Sequence, residues 1–158
     1  MDAAKYTPQQ IASWFLCSVD RDAGDAITHL KLQKLVYYAQ AWSLALFDLP
    51  LFDEEIEAWT HGPVVRSLFE DFRDAGWDAL EPLWDCPQFD DDTEGLLTEI
   101  MEEYGQHSAK YLEKLTHRED PWKLARGNLP IEQKSSAIIT KQSMAIYYRN
   151  KLEKQRAS

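Results

Sequence analysis

The sequence contains few cysteines, glycines and prolines and no long apolar run. Of its 158 residues, two are cysteine, six glycine and seven proline, which excludes a collagen-like chain and argues against a long disordered segment. No stretch approaches the roughly 18 uninterrupted apolar residues that a membrane helix requires, so no membrane attachment is expected. The N-terminus, MDAAKYTPQQ, has neither the basic start nor the apolar middle of a secretory signal.

The two cysteines, Cys17 and Cys86, are far apart and at no spacing typical of a metal site. In a chain without an export signal, two such cysteines are expected to be free thiols in a reducing compartment. The predicted location is therefore the cytoplasm.

Sequence motifs of the common enzyme classes are also missing. There is no GxxxxGK[ST], GxGxxG or GxSxG, and the four histidines form neither HExxH nor a zinc spacing with cysteine. The run Asp90-Asp91-Asp92 resembles the start of a calcium loop, but its twelfth position, which needs a bidentate glutamate, is Met101. We therefore predict no catalytic site, no metal and no cofactor, although the many carboxylates leave a glycosidase-like pair open.

Length and composition fit one domain spanning residues 1–158. The chain has the size of one ordinary domain, and its 44% apolar and 12% aromatic residues can fill a core. No internal repeat, no linker and no appended helix-turn-helix region is present, so a separate DNA-binding domain is not expected.

The net charge of −10 is concentrated in the middle of the sequence. Residues 1–47 hold four acidic and four basic residues, residues 48–103 hold 18 acidic and two basic, and residues 104–158 hold five acidic and 11 basic. An acidic middle repels a phosphate backbone, so a nucleic-acid partner is not expected. The acidic surface either suits a basic protein partner or only keeps the protein soluble.

Apolar residues at helical spacing predict a mostly α-helical domain around one buried helix. That helix begins at Thr28 or His29 and runs through Leu46, and its apolar arc is wide enough to be buried on several sides. Capping signals predict further helices. These begin at Thr7-Pro8, Gly62-Pro63, Ser108, Asp120-Pro121 and Thr140, and another covers Leu96 to Tyr104.

Short β-rich stretches predict a small hairpin on this helical domain. Residues 49–52 and 56–60 are the predicted strands, residues 53–55 are the turn, and residues 135–139 form a predicted third strand. The least regular part is residues 76–93. Its apolar side chains are expected to hold it against the body, and they are Trp77, Leu80, Leu83, Trp84 and Phe89.

Two segments carry more polar and aromatic side chains than packing requires. Residues 57–65 (EAWTHGPVV) bring Trp59 and His61 to a tight turn at a predicted helix start, and residues 115–122 (LTHREDPW) lie at another helix start. Backbone N–H groups at helix starts are unpaired and can receive an acceptor. Either these polar residues satisfy loop backbone internally, or their exposed members bind a partner.

Together with residues 31–42 (KLQKLVYYAQAW), these two segments resemble the Panacea domain. That family includes the SocA-type proteolytic adaptor and many small antitoxins, often encoded by phages or prophages. The resemblance runs from about residue 11 to residue 148. It implies a mostly α-helical, non-enzymatic domain that neutralises a cognate toxin by direct binding. The alternative is a proteolytic adaptor that delivers a toxin or other substrate to an ATP-dependent protease such as ClpXP.

The two polar segments supply the expected contacts to a partner protein. The expected partner-binding residues are Trp59, His61, Gly62, Pro63, Arg66, His117, Arg118 and Glu119. Of these we expect His61, Arg118 and Glu119 at the surface, whereas Trp42 and Trp122 look internal. The acidic segment 78–94 matches no family motif. It is either a second contact region that carries partner specificity or a tolerated insertion. A hydrolase would instead need a convergent polar pocket around His61 and His117.

Overall fold

The computed structural model describes residues 4–157, apart from the side chain of Arg21. Over these residues the domain is mostly α-helical with one small antiparallel sheet, which confirms the predicted fold class. The helices are α1 (Pro8–Ser18), α2 (His29–Phe47), α3 (Arg66–Asp71), α4 (Asp91–Tyr104), α5 (Ala109–Arg118), α6 (Asp120–Arg126) and α7 (Lys141–Ala157). The strands are β1 (Ile56–Trp59), β2 (Gly62–Val64) and β3 (Ile138–Ile139). No helix in the described part of the chain is long and apolar enough to cross a membrane.

Helix α2 is the centre of the fold, as its wide apolar arc predicted. Thr28 caps it by accepting a hydrogen bond from the Lys31 amide, and α2 ends at Asp48, which adopts the left-handed conformation with φ 56°. Helices α1, α4, α5 and α7 and strand β2 all pack against it. Burial on so many sides removes most of its apolar area from water, which is the main stabilising contribution in a domain of this size.

Local capping determines where several other helices begin. Thr7 and Gln10 form a reciprocal capping box at α1, and Ser108 accepts from the Tyr111 amide at α5. Asp90 caps α4 by accepting from the Thr93 amide. The acidic run at 90–92 therefore forms the cap and first turn of a helix, where negative charge is favourable.

The observed hairpin differs from the predicted one. Strand β1 pairs with β2, with Glu57 opposite Val64 and Trp59 opposite Gly62, and β3 pairs with the other edge of β1. The predicted strand at residues 49–52 is wrong because the Gln40 side chain bonds the Leu51 amide and the Phe52 carbonyl, which a partner strand would otherwise use. The predicted helix start at Gly62-Pro63 is also wrong, since these residues form β2 and the helix begins at Arg66.

The segment between α3 and α4 is tied to α1 by a disulfide. Cys17 and Cys86 are bonded with their Cα atoms 5.9 Å apart, so the prediction of free thiols is wrong. The fold brings this segment beside α1 through contacts that linear spacing does not show, such as the ring contact of Phe89 with Tyr6. Leu80 is buried and Phe89 half-buried, as expected, and Trp84 contacts Phe72. Trp77 is 83% exposed and Leu83 54% exposed, so these two do not hold the segment.

Candidate functional site

The turn between β1 and β2 forms one side of an open surface groove of about 670 Å³. Residues of the β1–β2 hairpin and of the segment before β3 line this groove. The lining residues are Trp59, Thr60, His61, Val64, Arg66, Glu132, Lys134, Ser135 and Ser136. Three of the predicted partner-binding residues, Trp59, His61 and Arg66, therefore meet at one surface.

His61 is held in place by a buried carboxylate. Its side chain is 71% exposed, and its Nδ1 lies 2.6 Å from Oε1 of Glu113, whose other oxygen pairs with Lys110. Burial alone would raise the pKa of Glu113, but hydrogen bonds from Lys110 and His61 outweigh it and hold that pKa below its ordinary value. The carboxylate therefore accepts from Nδ1–H, which fixes the ring orientation and leaves Nε2 for a partner.

Glu57 organises Trp59 and Arg66 in a similar way. Its carboxylate accepts from the Trp59 indole at 2.9 Å and from two nitrogens of Arg66 at 2.7 and 3.0 Å. The Arg66 guanidinium lies over the Trp59 ring, 5.3 Å from its centroid. Burial opposes ionisation of Glu57, but the hydrogen bonds from Arg66 and Trp59 lower its pKa. The result is a fixed aromatic and cationic surface beside His61.

A buried arginine that sequence reasoning missed connects the two sides of the groove. Arg126 lies over Trp122, 4.8 Å from the ring centroid, and Trp122 donates to the carbonyl of Trp59. The Arg126 guanidinium donates to four backbone carbonyls, those of Ala58, Pro130, Ile131 and Gln133. It thereby ties the segment after α6 to β1. Nothing in the sequence around DPWKLAR distinguishes this arginine from a surface one.

Lys34 of α2 lies fully buried beneath the hairpin turn. A Cβ at Gly62 would stand 2.5 Å from its Cε and 3.1 Å from Oγ1 of Thr116, and Gly62 itself has φ +115°. Only glycine satisfies both constraints. Within residues 4–157 the Lys34 ammonium has no hydrogen-bond partner, and burial, partly opposed by Glu113, lowers its pKa to about 7. Gly62 and Pro63 are buried, so Gly62 supports the turn from inside.

Replacing Lys34 with methionine is expected to remove a pH dependence of stability. The pKa of Lys34 is about 7 in the folded protein against an ordinary value of 10.5, so between these values the unfolded chain holds a proton that the folded one has lost. The free energy of unfolding should therefore rise by about 2 kcal/mol from pH 7 to pH 9, and this contribution is constant well below pH 7. Urea unfolding of K34M across this range should lack the rise.

The interval from pH 7 to pH 9 separates Lys34 from the shifted histidines and tyrosines. Burial lowers the pKa of His29 and His117, so these rings titrate below it, and burial raises the pKa of Tyr37 and Tyr148 well above it. Burial also lowers the pKa of Lys31, and this lysine is the same in the native protein and in K34M. The exposed Lys114 gives the control K114M, which should keep the rise. If K34M also keeps it, the assignment to Lys34 is wrong.

The second predicted segment divides between surface and core. Arg118 is exposed, whereas His117 is half-buried and stacks on Trp122 with ring centroids 4.1 Å apart. Glu119 is only 3% exposed, so its predicted surface position is wrong. Its carboxylate accepts from the hydroxyls of Tyr38 and Tyr148, which are buried and need an acceptor. The partner-binding role of this segment stays a prediction.

The groove offers contacts suited to binding. A histidine oriented by a carboxylate also occurs in nucleophilic enzymes, where the ring contacts a hydroxyl or thiol. In the described part of the chain His61 bonds to Glu113 alone, and no group of three or more His, Cys, Asp or Glu side chains could hold a metal ion. What the groove presents is an oriented imidazole, an aromatic face and fixed charges.

Comparison with known proteins gives one match. The family model described as "Antitoxin SocA-like, Panacea domain" matches residues 32–123, which is more than half of the chain. The matched range includes most of α2, the hairpin and the start of α6, and so contains His61, Lys34 and Glu113. No curated protein and no solved structure matches the chain.

Proposed function

Because the chain belongs to the antitoxin SocA-like Panacea domain family, we propose that it neutralises a cognate toxin by direct binding through the hairpin groove. Neutralisation by occlusion requires a surface that covers or distorts the toxin's active site. Gly62, Pro63 and Glu119 contribute from inside, whereas Trp59, His61 and Arg66 make the contacts.

The observation that carries this proposal is the fixed geometry of the exposed side chains. Glu57 holds Trp59 and Arg66, and buried Glu113 holds His61. Side chains that are already ordered lose little conformational entropy on binding, so more of their contact energy appears as affinity. Tryptophan and arginine are also the residue types most enriched among those that dominate interface energies.

The contacts follow from the chemistry of the groove. An apolar side chain of the toxin would pack on Trp59, and a hydroxyl or amide N–H would donate to Nε2 of His61. A carbonyl or carboxylate would accept from the hydroxyls of Ser135 and Ser136. Lys134 on the opposite side lies in no ion pair within residues 4–157 and can pair with an acid.

Trp59→Ala is expected to weaken toxin binding by roughly 30- to 100-fold, since a central tryptophan contributes about 2–3 kcal/mol at such an interface. The toxin to test is the product of the gene beside this one. Its affinity is measured by isothermal titration calorimetry with an inactive toxin variant, and neutralisation is measured as growth on co-expression. Trp77→Ala is the matched control, because Trp77 is 83% exposed and lies outside the groove.

A second variant separates binding from folding. His61→Asn removes the ring and its bond to buried Glu113, so it is expected to lower the unfolding midpoint slightly while the protein stays folded, and to weaken the toxin complex. Equal effects of the Trp59 and Trp77 substitutions would place the interface elsewhere, and failure of native protein and toxin to co-purify or rescue growth would reject direct neutralisation. A proteolytic adaptor would instead shorten the toxin's lifetime only in strains that retain the protease.

A further inference from the structure

An apolar ridge stands at the opposite end of α2 from the hairpin groove. Leu46, Phe47 and Leu49 surround the end of the helix, and 36–41% of each side chain is exposed. With about 1.5 Å of rise per residue, Phe47 lies about 20 Å along the α2 axis from Lys34 beneath the hairpin. An exposed apolar cluster of this kind commonly marks an interaction site.

Two depressions flank this ridge. The first, of about 460 Å³, exposes Trp42 and Leu46 of α2 between the apolar residues Leu96 and Ile100 of α4 and Leu152 of α7. The second depression, of about 620 Å³, is lined by Phe47 and Leu49 of the ridge and by the first turn of α4. Each can receive one large apolar side chain from a partner that lies across the ridge.

Carboxylates line the α4 side of both depressions. They are Asp91 and Asp92 at the second and Glu99, Glu102 and Glu103 at the first. Helix α4 contains no basic residue, and none of the five forms a salt bridge with residues 4–157. Two lysines also line the depressions: Lys151 at the first is already paired with buried Glu119, and Lys5 at the second is outnumbered there by the aspartates. The surface is therefore apolar at its centre and negative along one side.

We propose that the ridge and its two depressions bind a basic amphipathic segment of a partner protein. Apolar side chains at helical spacing fill the depressions, as in helix-in-groove recognition, and lysine or arginine on the flanks pairs with the five carboxylates. A second copy of this chain fits less well. Its net charge of −10 opposes self-association, and three bases of its basic helix α7 are already in ion pairs, namely Lys141, Arg149 and Lys151.

The proposal is tested with a fluorescein-labelled helical peptide of leucine and lysine, about 18 residues long, with leucine at helical spacing. Fluorescence anisotropy near 0.15 M salt measures its dissociation constant for the full chain. The triple reversal E99K/E102K/E103K is expected to weaken binding at least about tenfold. The reversal D78K/E81K/D85K makes the same change in net charge elsewhere and should alter binding by no more than about twofold.

The apolar contribution has its own matched pair of variants. L46S/F47S removes the ridge and should weaken peptide binding at least about tenfold, whereas L83S/W84S removes two other exposed apolar residues and should not. The proposal is overturned if the two charge reversals weaken peptide binding equally, or if the two serine pairs do. It is also overturned if a leucine–glutamate peptide binds as tightly as the leucine–lysine peptide. A native dimer that L46S/F47S dissociates in sedimentation would overturn it as well. No toxin is present, so this assay and the hairpin-groove experiment fail independently.

Discussion

Replacing Glu119 with alanine is expected to lower the free energy of unfolding by about 3–5 kcal/mol, because it leaves buried donors without their acceptor. The Glu119 carboxylate accepts from Tyr38 at 2.7 Å and from Tyr148 at 2.9 Å, and it pairs with Lys151 at 3.3 Å. Burial raises the pKa of both tyrosines well above its ordinary value. Both hydroxyls therefore stay protonated and donate.

The large effect follows from where Glu119 lies. Tyr38 belongs to α2 and Tyr148 to α7, and Tyr148 also shares a hydrogen bond of 3.0 Å with Tyr37. Glu119 joins both helices to the junction of α5 and α6. An alanine there removes the acceptor that Tyr38 and Tyr148 share, and of these two hydroxyls Tyr148 still has the Tyr37 hydroxyl within 3.0 Å.

Urea unfolding followed by tryptophan fluorescence measures this loss. Glu119→Gln keeps an acceptor oxygen but loses the charge, so its loss should be smaller, about 1–3 kcal/mol. Glu132→Ala changes an exposed carboxylate and should stay within about 0.5 kcal/mol. A loss below about 1 kcal/mol for E119A would mean that the tyrosine hydroxyls find other partners.

Reduction of the disulfide is expected to lower the free energy of unfolding by about 2–4 kcal/mol. The bond joins residues 69 positions apart, so in the unfolded chain it closes a long loop and removes conformational freedom. In the folded protein it anchors the middle of the segment between Leu80 and Phe89 to α1. Reduction should therefore also open this segment to proteolysis before the core unfolds.

Unfolding with and without a phosphine reductant measures the effect, and alkylation before purification with mass spectrometry counts thiols. The native protein should carry no label, and C17S/C86S should be destabilised and insensitive to reductant. If both cysteines are labelled in the folded protein and reductant leaves stability unchanged, the bond does not form under those conditions.

The parts of the fold that depend on neighbours a few residues apart were predictable from the sequence. Thr7 with Gln10 and Ser108 with Tyr111 mark helix starts through contacts within three residues. The wide apolar arc of α2 identified the central helix for the same reason, because helical periodicity is a local property. The sequence also predicted that His61 is exposed, because this residue follows a strand at a tight turn.

Features whose partners lie far away in the chain were not predictable in this way. Gln40 replaces a strand partner for residues 51–52, Glu119 serves Tyr38 from 81 positions away, and Cys17 bonds to Cys86. The residues next to a polar or thiol side chain in the sequence do not indicate whether it faces water or a buried partner. Its position therefore follows from the packing of whole helices, which local spacing does not encode.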